Sequence, residues 1–243
     1  MLSSIKTKVL RVSGELLLVF LALLTLQSCA QNKSEDMKKI VYVMDPLCGW
    51  CYGNSDNITS IYQQFKGSID FELVVGGMWL GNNAPAGGPG LHQFVISHTP
   101  QMVDLTGAEV SLKYFELAAD SSYAFSSLEP CAAIALVKSM RPEKTFPFAK
   151  EVQKAMFVEG KRLDALDTYL PVLKDLGINS TAFAESWLSD ENISAAKKEF
   201  ARSAVLTRGF PSLICQQDTQ TLVLASGYFQ KEVVEEKIQE LVK

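Results

Sequence analysis

The sequence predicts an α/β protein: a four-stranded mixed sheet whose two halves are separated by a large all-helical insertion. Three observations predict it. Strand-like runs lie only near 39–75 and beyond 211, helical periodicity fills the text from about 91 to 205, and the first strand leads straight into a Cys-x-x-Cys pair opening a helix.

Composition limits the functional classes. The chain has 243 residues, 47% apolar and 21% charged, which is enough to bury a core and unlike a disordered chain. Lys and Arg total 23 against 27 Asp and Glu, with no block of like charge, so nothing marks a nucleic-acid surface. Five cysteines are too few for a disulfide-scaffolded miniprotein.

At the N-terminus Lys6, Lys8 and Arg11 precede an apolar run from Leu16 to Leu26, too short for a helix of about 20 residues that spans a bilayer. It reads as the core of a signal peptide. Leu26-Gln27-Ser28-Cys29 then resembles the bacterial lipobox, which implies cleavage after residue 28, lipidation of Cys29 and a membrane attachment through that lipid. Cleavage without lipidation and an uncleaved anchor are the alternatives. Without residues 1–28 the chain carries 20 basic and 26 acidic residues, a mildly acidic domain. Residues 29–38 have no apolar periodicity and read as a tether. The expected location is the cell envelope, where disulfides form and persist.

Lys39 to Met44 is β-branched and apolar, a strand buried on both faces, ended by Asp45-Pro46. From Cys48 to Phe65 the spacing of Ile58, Ile61, Tyr62 and Phe65 predicts a helix with one buried face, and Ile69 to Val75 a second strand parallel to the first. The Gly- and Pro-rich stretch 76–90 lacks the Gly-Lys-Ser/Thr ending of a phosphate loop and opens no clear helix, so it reads as a plain loop. Helical segments follow at Leu112–Ala119, Ala132–Met140, Phe148–Val158, Leu166–Leu176 (interrupted by Pro171) and Phe183–Leu188. Ser212–Cys215 and Thr221–Ala225 read as a hairpin, and Val233, Val234, Ile238 and Leu241 as a closing helix. The core is expected from 39–85 and 206–243, the helical insertion from 86–205.

The chemistry centres on Cys48-Gly49-Trp50-Cys51. Cys48 falls at the positive end of a helix among unpaired N–H groups, which stabilises a thiolate and lowers its pKa below the free value of about 8.5. Cys51, one turn in, is shielded and can resolve a mixed disulfide. Half a zinc site is the competing account, with Cys131, Cys215, His92 and His98 as further ligands, but none repeats the close spacing. No metal or organic cofactor is expected.

Asp45-Pro46-Leu47-Cys48-Gly49-Trp50-Cys51-Tyr52-Gly53 resembles the active-site segment of the DsbA-like branch of the thioredoxin superfamily. Thr207-Arg208-Gly209-Phe210-Pro211-Ser212 resembles the Gly-x-Pro-Thr loop of that branch, whose proline is cis and faces the CxxC. The resemblance implies a thioredoxin-like fold over about 38–243, and Cys48 as nucleophile with Cys51 resolving. It also implies an active-site loop at Phe210 and Pro211 where an extended substrate pairs, cysteine-containing exported proteins as substrates, and a partner that recycles the pair. Gly-Trp stands where strongly oxidising members carry Pro-His, so direction is open. Trp50 is either an exposed contact for unfolded polypeptide or packed against the insertion. Asp45 is read as a turn residue rather than a proton acceptor for Cys51, Cys131 and Cys215 as small buried hydrophobes, and His92 and His98 as solvated. Met78-Trp79-Leu80 either lines a peptide groove or anchors in the core. Rival functions are a DsbA-like non-enzymatic adaptor and a glutathione-dependent isomerase or transferase of the kappa-like relatives, which present serine where this chain has Cys48.

Overall fold

The computed structural model describes residues 38–217 and 220–243; the expected signal peptide, Cys29 and the tether up to residue 37 lie outside them. The first strand, β1 (Lys39–Met44), is buried along nearly its whole length, as a β-branched run without polar alternation requires. It pairs parallel with β2 (Asp70–Val75) and antiparallel with β3 (Ser212–Gln217), which pairs antiparallel with β4 (Gln220–Ser226). The spatial order is β2-β1-β3-β4, the mixed four-stranded sheet expected.

Between β1 and β2 the expected single helix is two, α1 (Gly49–Gly53) and α2 (Ser55–Phe65), broken at Asn54. Asn54 is fully buried: its amide donates to the Gly227 carbonyl at 3.3 Å and its side-chain oxygen accepts from Phe229 N–H at 3.2 Å. A periodicity count misses this, because one polar residue on a helix face carries no sign of a distant partner.

The block between β2 and β3 is helical: α3 (Pro89–Thr106), α4 (Leu112–Ala119), α5 (Leu128–Met140), α6 (Thr145–Phe157), α7 (Leu166–Asp175), α8 (Ser180–Ser186) and α9 (Asp190–Leu206). α10 (Lys231–Leu241) closes the chain. Two expectations need correction. The Gly/Pro stretch does open a helix, since Pro89 takes the first position of α3, where its missing N–H costs no hydrogen bond. Pro171 does not interrupt α7, lying inside a continuous helix. The sequence reading also lacked a separate α9, a polar helix capped by Ser189, whose hydroxyl accepts from Asn192 N–H at 3.3 Å.

Residues 38–243 form one compact unit. One apolar core runs from Ile40, Tyr42 and Met44 on one face of the sheet, through α2 and α6, to Tyr169, Phe183 and Trp187 deep in the helical block. The opposite face of β1 contributes Val41 and Val43 to a smaller cluster with Val74 and Ile214, capped by Leu206 and Phe210.

The edge strand β2 is guarded by charge. Glu72 meets Lys39 at 3.4 Å, Lys138 at 3.2 Å and Arg202 through both guanidinium nitrogens. Burial alone would raise its pKa, but the hydrogen bonds from Arg202 and the charges of Lys138 and Arg202 outweigh it and bring it to about 2. A depressed carboxylate contributes stability above its unfolded pKa of about 4.3 that is lost as pH falls toward its folded value. Glu72→Gln is therefore expected to cost about 1–2 kcal/mol at pH 7, and the gap from the parent closes between about pH 4 and pH 2 in urea titrations. A gap that does not close over that range contradicts this account.

Candidate active site

Cys48 occupies the N-cap of α1, in extended conformation, with its own N–H bonded to the Asp45 carbonyl at 3.1 Å. It is 7% exposed, whereas Cys51 is fully buried, and the two approach to 3.3 Å. Their environments push the two sulfurs apart. The hydrogen bond from the Cys51 thiol, aided by the N–H groups of Cys51 and Trp50, lowers the Cys48 pKa against the opposing effect of burial. Burial raises Cys51 well above the ordinary thiol range. Of the two sulfurs, Cys48 is thus the more readily ionised and the more accessible, and Cys51 is a thiol held behind it.

The Phe210–Pro211 peptide is cis, and the Phe210 carbonyl lies 3.7 Å from Cys48 Sγ. The ring of Phe210 rests on Gly76, where any Cβ would come within 2.2 Å of it, so glycine is needed for this loop to reach the cysteine. Pro211 is tied in turn to the far end of the sheet: its carbonyl accepts from Gly227 N–H at 2.8 Å, and the Gly227 carbonyl takes the Asn54 amide. Asn54 thereby links the cysteine helix to the proline loop. Asn54→Ala is expected to lower stability by about 2–3 kcal/mol, because it orphans the buried Phe229 N–H, and to accelerate alkylation of Cys51. Unchanged denaturation and alkylation would remove Asn54 from that role.

Asp45 is fully buried and does more than turn the chain. Its carboxylate accepts from Leu47 N–H at 2.9 Å, from Met78 N–H at 2.7 Å and from the Ser127 hydroxyl at 3.1 Å, with the Cys131 thiol at 3.9 Å. The turn expected from the sequence is present, and the same side chain fastens the 76–88 loop and α5 beneath the cysteines. Burial raises its pKa. Cys131, expected to be a plain apolar filler, donates into this network. Cys215 lies in β3 opposite Ile40, and both cysteines are free thiols.

A cavity of about 210 Å³ opens beside Cys48. Its near wall is Leu47, Cys48, Gly49 and Trp50; Met78 and Trp79 close one side; Phe94, Val95, His98, Thr99 and Met102 of α3, with Tyr114 and Phe157, form the rest. Trp50 is half-buried, packing on the core while lining this cavity. Met78 and Trp79 likewise anchor and line. His98 is exposed, as expected, yet it stands at the cavity rim, stacked on Phe94 at 4.2 Å with Nδ1 2.8 Å from the Phe94 carbonyl. Sequence reasoning could not assign it there, because the cavity's other walls come from residues 47–50, 78–79, 114 and 157. Among the described residues no cluster of three or more His, Cys, Asp or Glu side chains is arranged to hold a metal ion.

No family model and no curated protein matches the chain. Solved structures do. A candidate protein disulfide isomerase from Nitrosomonas europaea is 24% identical, with a TM-score of 0.74 over 85% of this chain and 98% of its own. The cytosolic disulfide reductase DsbM from Pseudomonas aeruginosa is 28% identical, with a TM-score of 0.72 over 84% of this chain and 98% of its own. The same reductase solved with GSH is 27% identical, with a TM-score of 0.71 over the same shares. The chain has the DsbA-like thioredoxin fold. In this fold the sheet, the CxxC at a helix N-terminus and the cis-proline loop beside it belong to the thioredoxin part, and the helices between β2 and β3 to the insertion. Its likeness to DsbM supports thiol–disulfide oxidoreductase activity in the broad sense.

Proposed function

We propose that this chain is an exported, lipid-anchored thiol–disulfide oxidoreductase that acts on cysteine-containing proteins through Cys48 and Cys51. The observation that carries the reading is the contrast within the pair: a lowered thiol at a helix N-terminus, bordering an open cavity and the Phe210–Pro211 loop, 3.3 Å from a fully buried thiol with a raised pKa. In the oxidising direction a substrate thiolate attacks the Cys48–Cys51 disulfide at Cys48 and Cys51 leaves as thiolate. A second substrate thiolate then displaces Cys48, releasing oxidised substrate and the reduced pair. In the reducing direction the Cys48 thiolate attacks a substrate disulfide, one substrate sulfur leaves as thiolate, and Cys51, losing its proton, displaces the other. Two fixed sulfurs suffice for both.

The leader at Lys6 to Cys29 supports export, although DsbM is described as cytosolic. Membrane fractionation of cells expressing the parent and Cys29→Ser tests the anchor: the parent is expected in the membrane fraction and the variant in the soluble one. Direction follows from equilibrating the pair against glutathione buffers, where a potential near about −120 mV marks an oxidase and one near about −270 mV a reductase. Failure to cycle overturns the enzyme reading in favour of an adaptor. A second reading, reduction fed by glutathione, is favoured by the DsbM structure solved with GSH. It requires a mixed disulfide between Cys48 and glutathione, seen as the corresponding mass gain when Cys51→Ser is incubated with oxidised glutathione, whose other half leaves as the thiolate.

A further inference from the structure

The loop that carries Phe210 is held by two hydroxyls. Thr207, which caps the C-terminus of α9, and Ser212, the first residue of β3, face each other across it with their side-chain oxygens 2.7 Å apart. Both reach the same glycine. Gly209 N–H donates to Thr207 Oγ1 at 3.2 Å, and the Gly209 carbonyl lies 2.9 Å from Ser212 Oγ and 3.0 Å from Thr207 Oγ1.

One arrangement of protons satisfies this set as a ring. Gly209 N–H donates to Thr207, the Thr207 hydroxyl donates to Ser212, and the Ser212 hydroxyl donates to the Gly209 carbonyl, so each proton is used once. Hydrogen bonds linked in this way polarise and strengthen one another. The ring is anchored at both ends: Ser212 is buried and paired with Val43 of β1 and Ser226 of β4, and Thr207 N–H donates to the Ser203 carbonyl at 3.0 Å. It consumes both backbone groups of Gly209 and leaves those of the next residue open. Phe210 N–H has no hydrogen-bond partner among the described residues, and the Phe210 carbonyl meets only the Cys48 thiol, at 3.7 Å. That contact ends when Cys48 ionises, since a thiolate has no proton to give. A free donor and a free acceptor on one residue are what an incoming extended strand exchanges hydrogen bonds with.

We propose that Thr207 and Ser212 are positioning residues that hold Phe210 N–H and C=O, beside Cys48, for the backbone of an extended polypeptide, so that the site distinguishes a peptide thiol from a small thiol. The inference rests on the proposed function and adds to it the means by which a polypeptide is recognised.

Reaction of the oxidised full-length protein with excess thiol tests it, with a short unstructured Gly- and Ser-rich peptide containing one cysteine set against 2-mercaptoethanol, which has no peptide backbone. A thiolate attacks at Cys48 and Cys51 leaves as thiolate; a second thiolate displaces Cys48, giving the reduced pair and a disulfide of the two attacking thiols. Thr207→Val and Ser212→Ala are each expected to raise the peptide concentration that half-saturates the rate about five- to thirtyfold, with the limiting rate and the reaction with 2-mercaptoethanol unchanged. Thr207→Ser keeps the hydroxyl and is expected to match the parent. Because both residues act through one ring, the double variant should lose no more than the worse single. Slowing by the same factor toward both thiols, a fall in the limiting rate without the half-saturation shift, strictly multiplicative losses in the double variant, or a Thr207→Ser variant as slow as Thr207→Val, overturns the role of the ring. A parent that reacts with neither thiol overturns the proposed function itself, and the role of the ring with it.

Discussion

Cys48→Ser is expected to abolish thiol–disulfide exchange, a loss of at least about 10³-fold in turnover, while leaving the urea midpoint essentially unchanged. The sulfur at the head of α1 is the one that reaches solvent, so without it no thiolate meets an incoming substrate. Cys51→Ser behaves differently: exchange begins and stops at the mixed disulfide, which accumulates and is seen as a covalent adduct by mass spectrometry. A further comparison separates position from chemistry. The largest influence lowering the Cys48 pKa is the hydrogen bond from the Cys51 thiol. A serine hydroxyl keeps a donor there and alanine does not, so Cys51→Ala should raise the pH at which Cys48 is half alkylated relative to Cys51→Ser. Coincident alkylation profiles would show that the helix N-terminus alone sets the reactivity.

Asp45→Ala is expected to be the most damaging single change to stability, at about 3–4 kcal/mol, because it leaves the Leu47 and Met78 N–H groups and the Ser127 hydroxyl unpaired around a fully buried position. Asp45→Asn separates charge from hydrogen bonding. An ionised Asp45 raises both cysteines, so its replacement by a neutral amide should lower the Cys48 pKa, read from the thiolate absorbance at 240 nm. The linked pH effect has a definite sign. Burial raises the Asp45 pKa, so the folded state holds its proton more tightly than the unfolded chain; the resulting stability is fully present below about pH 3.9 and is lost as pH rises through the folded value. Asp45→Asn removes that slope. If the variant keeps the parent's pH dependence and its cysteine pKa, Asp45 is only a turn residue, as its place before Pro46 first suggested.

The start of the thioredoxin-like part was legible because its signals are local. A β-branched run and a Cys-x-x-Cys at a strand end each fix their surroundings within a few residues, and β1 and Cys48 fall where they were expected. The cis Phe210–Pro211 bond was expected from the resemblance to the DsbA-like branch alone. The break at Asn54 and the burial of Asp45 were not legible, since each depends on partners far along the chain: Gly227 and Phe229, and Met78 and Ser127. The place of His98 at a cavity rim was not legible either, because the cavity is assembled from distant segments. α9 escaped for a different reason. Its sequence, Asp190 to Leu206, is polar on most sides and buries only Asn192, Ala196 and Ser203, so apolar periodicity had little to register.

The cavity beside Cys48 has walls from two sources. The reacting sulfur and Trp50 come from the strand-helix unit at the start of the fold, whereas Phe94, Val95, His98, Thr99 and Met102 come from one face of α3, within the insertion. On the proposed function, reactivity and selectivity are written in separate stretches of the chain: changes along α3 would alter which molecules the cavity admits while leaving the Cys48–Cys51 pair untouched.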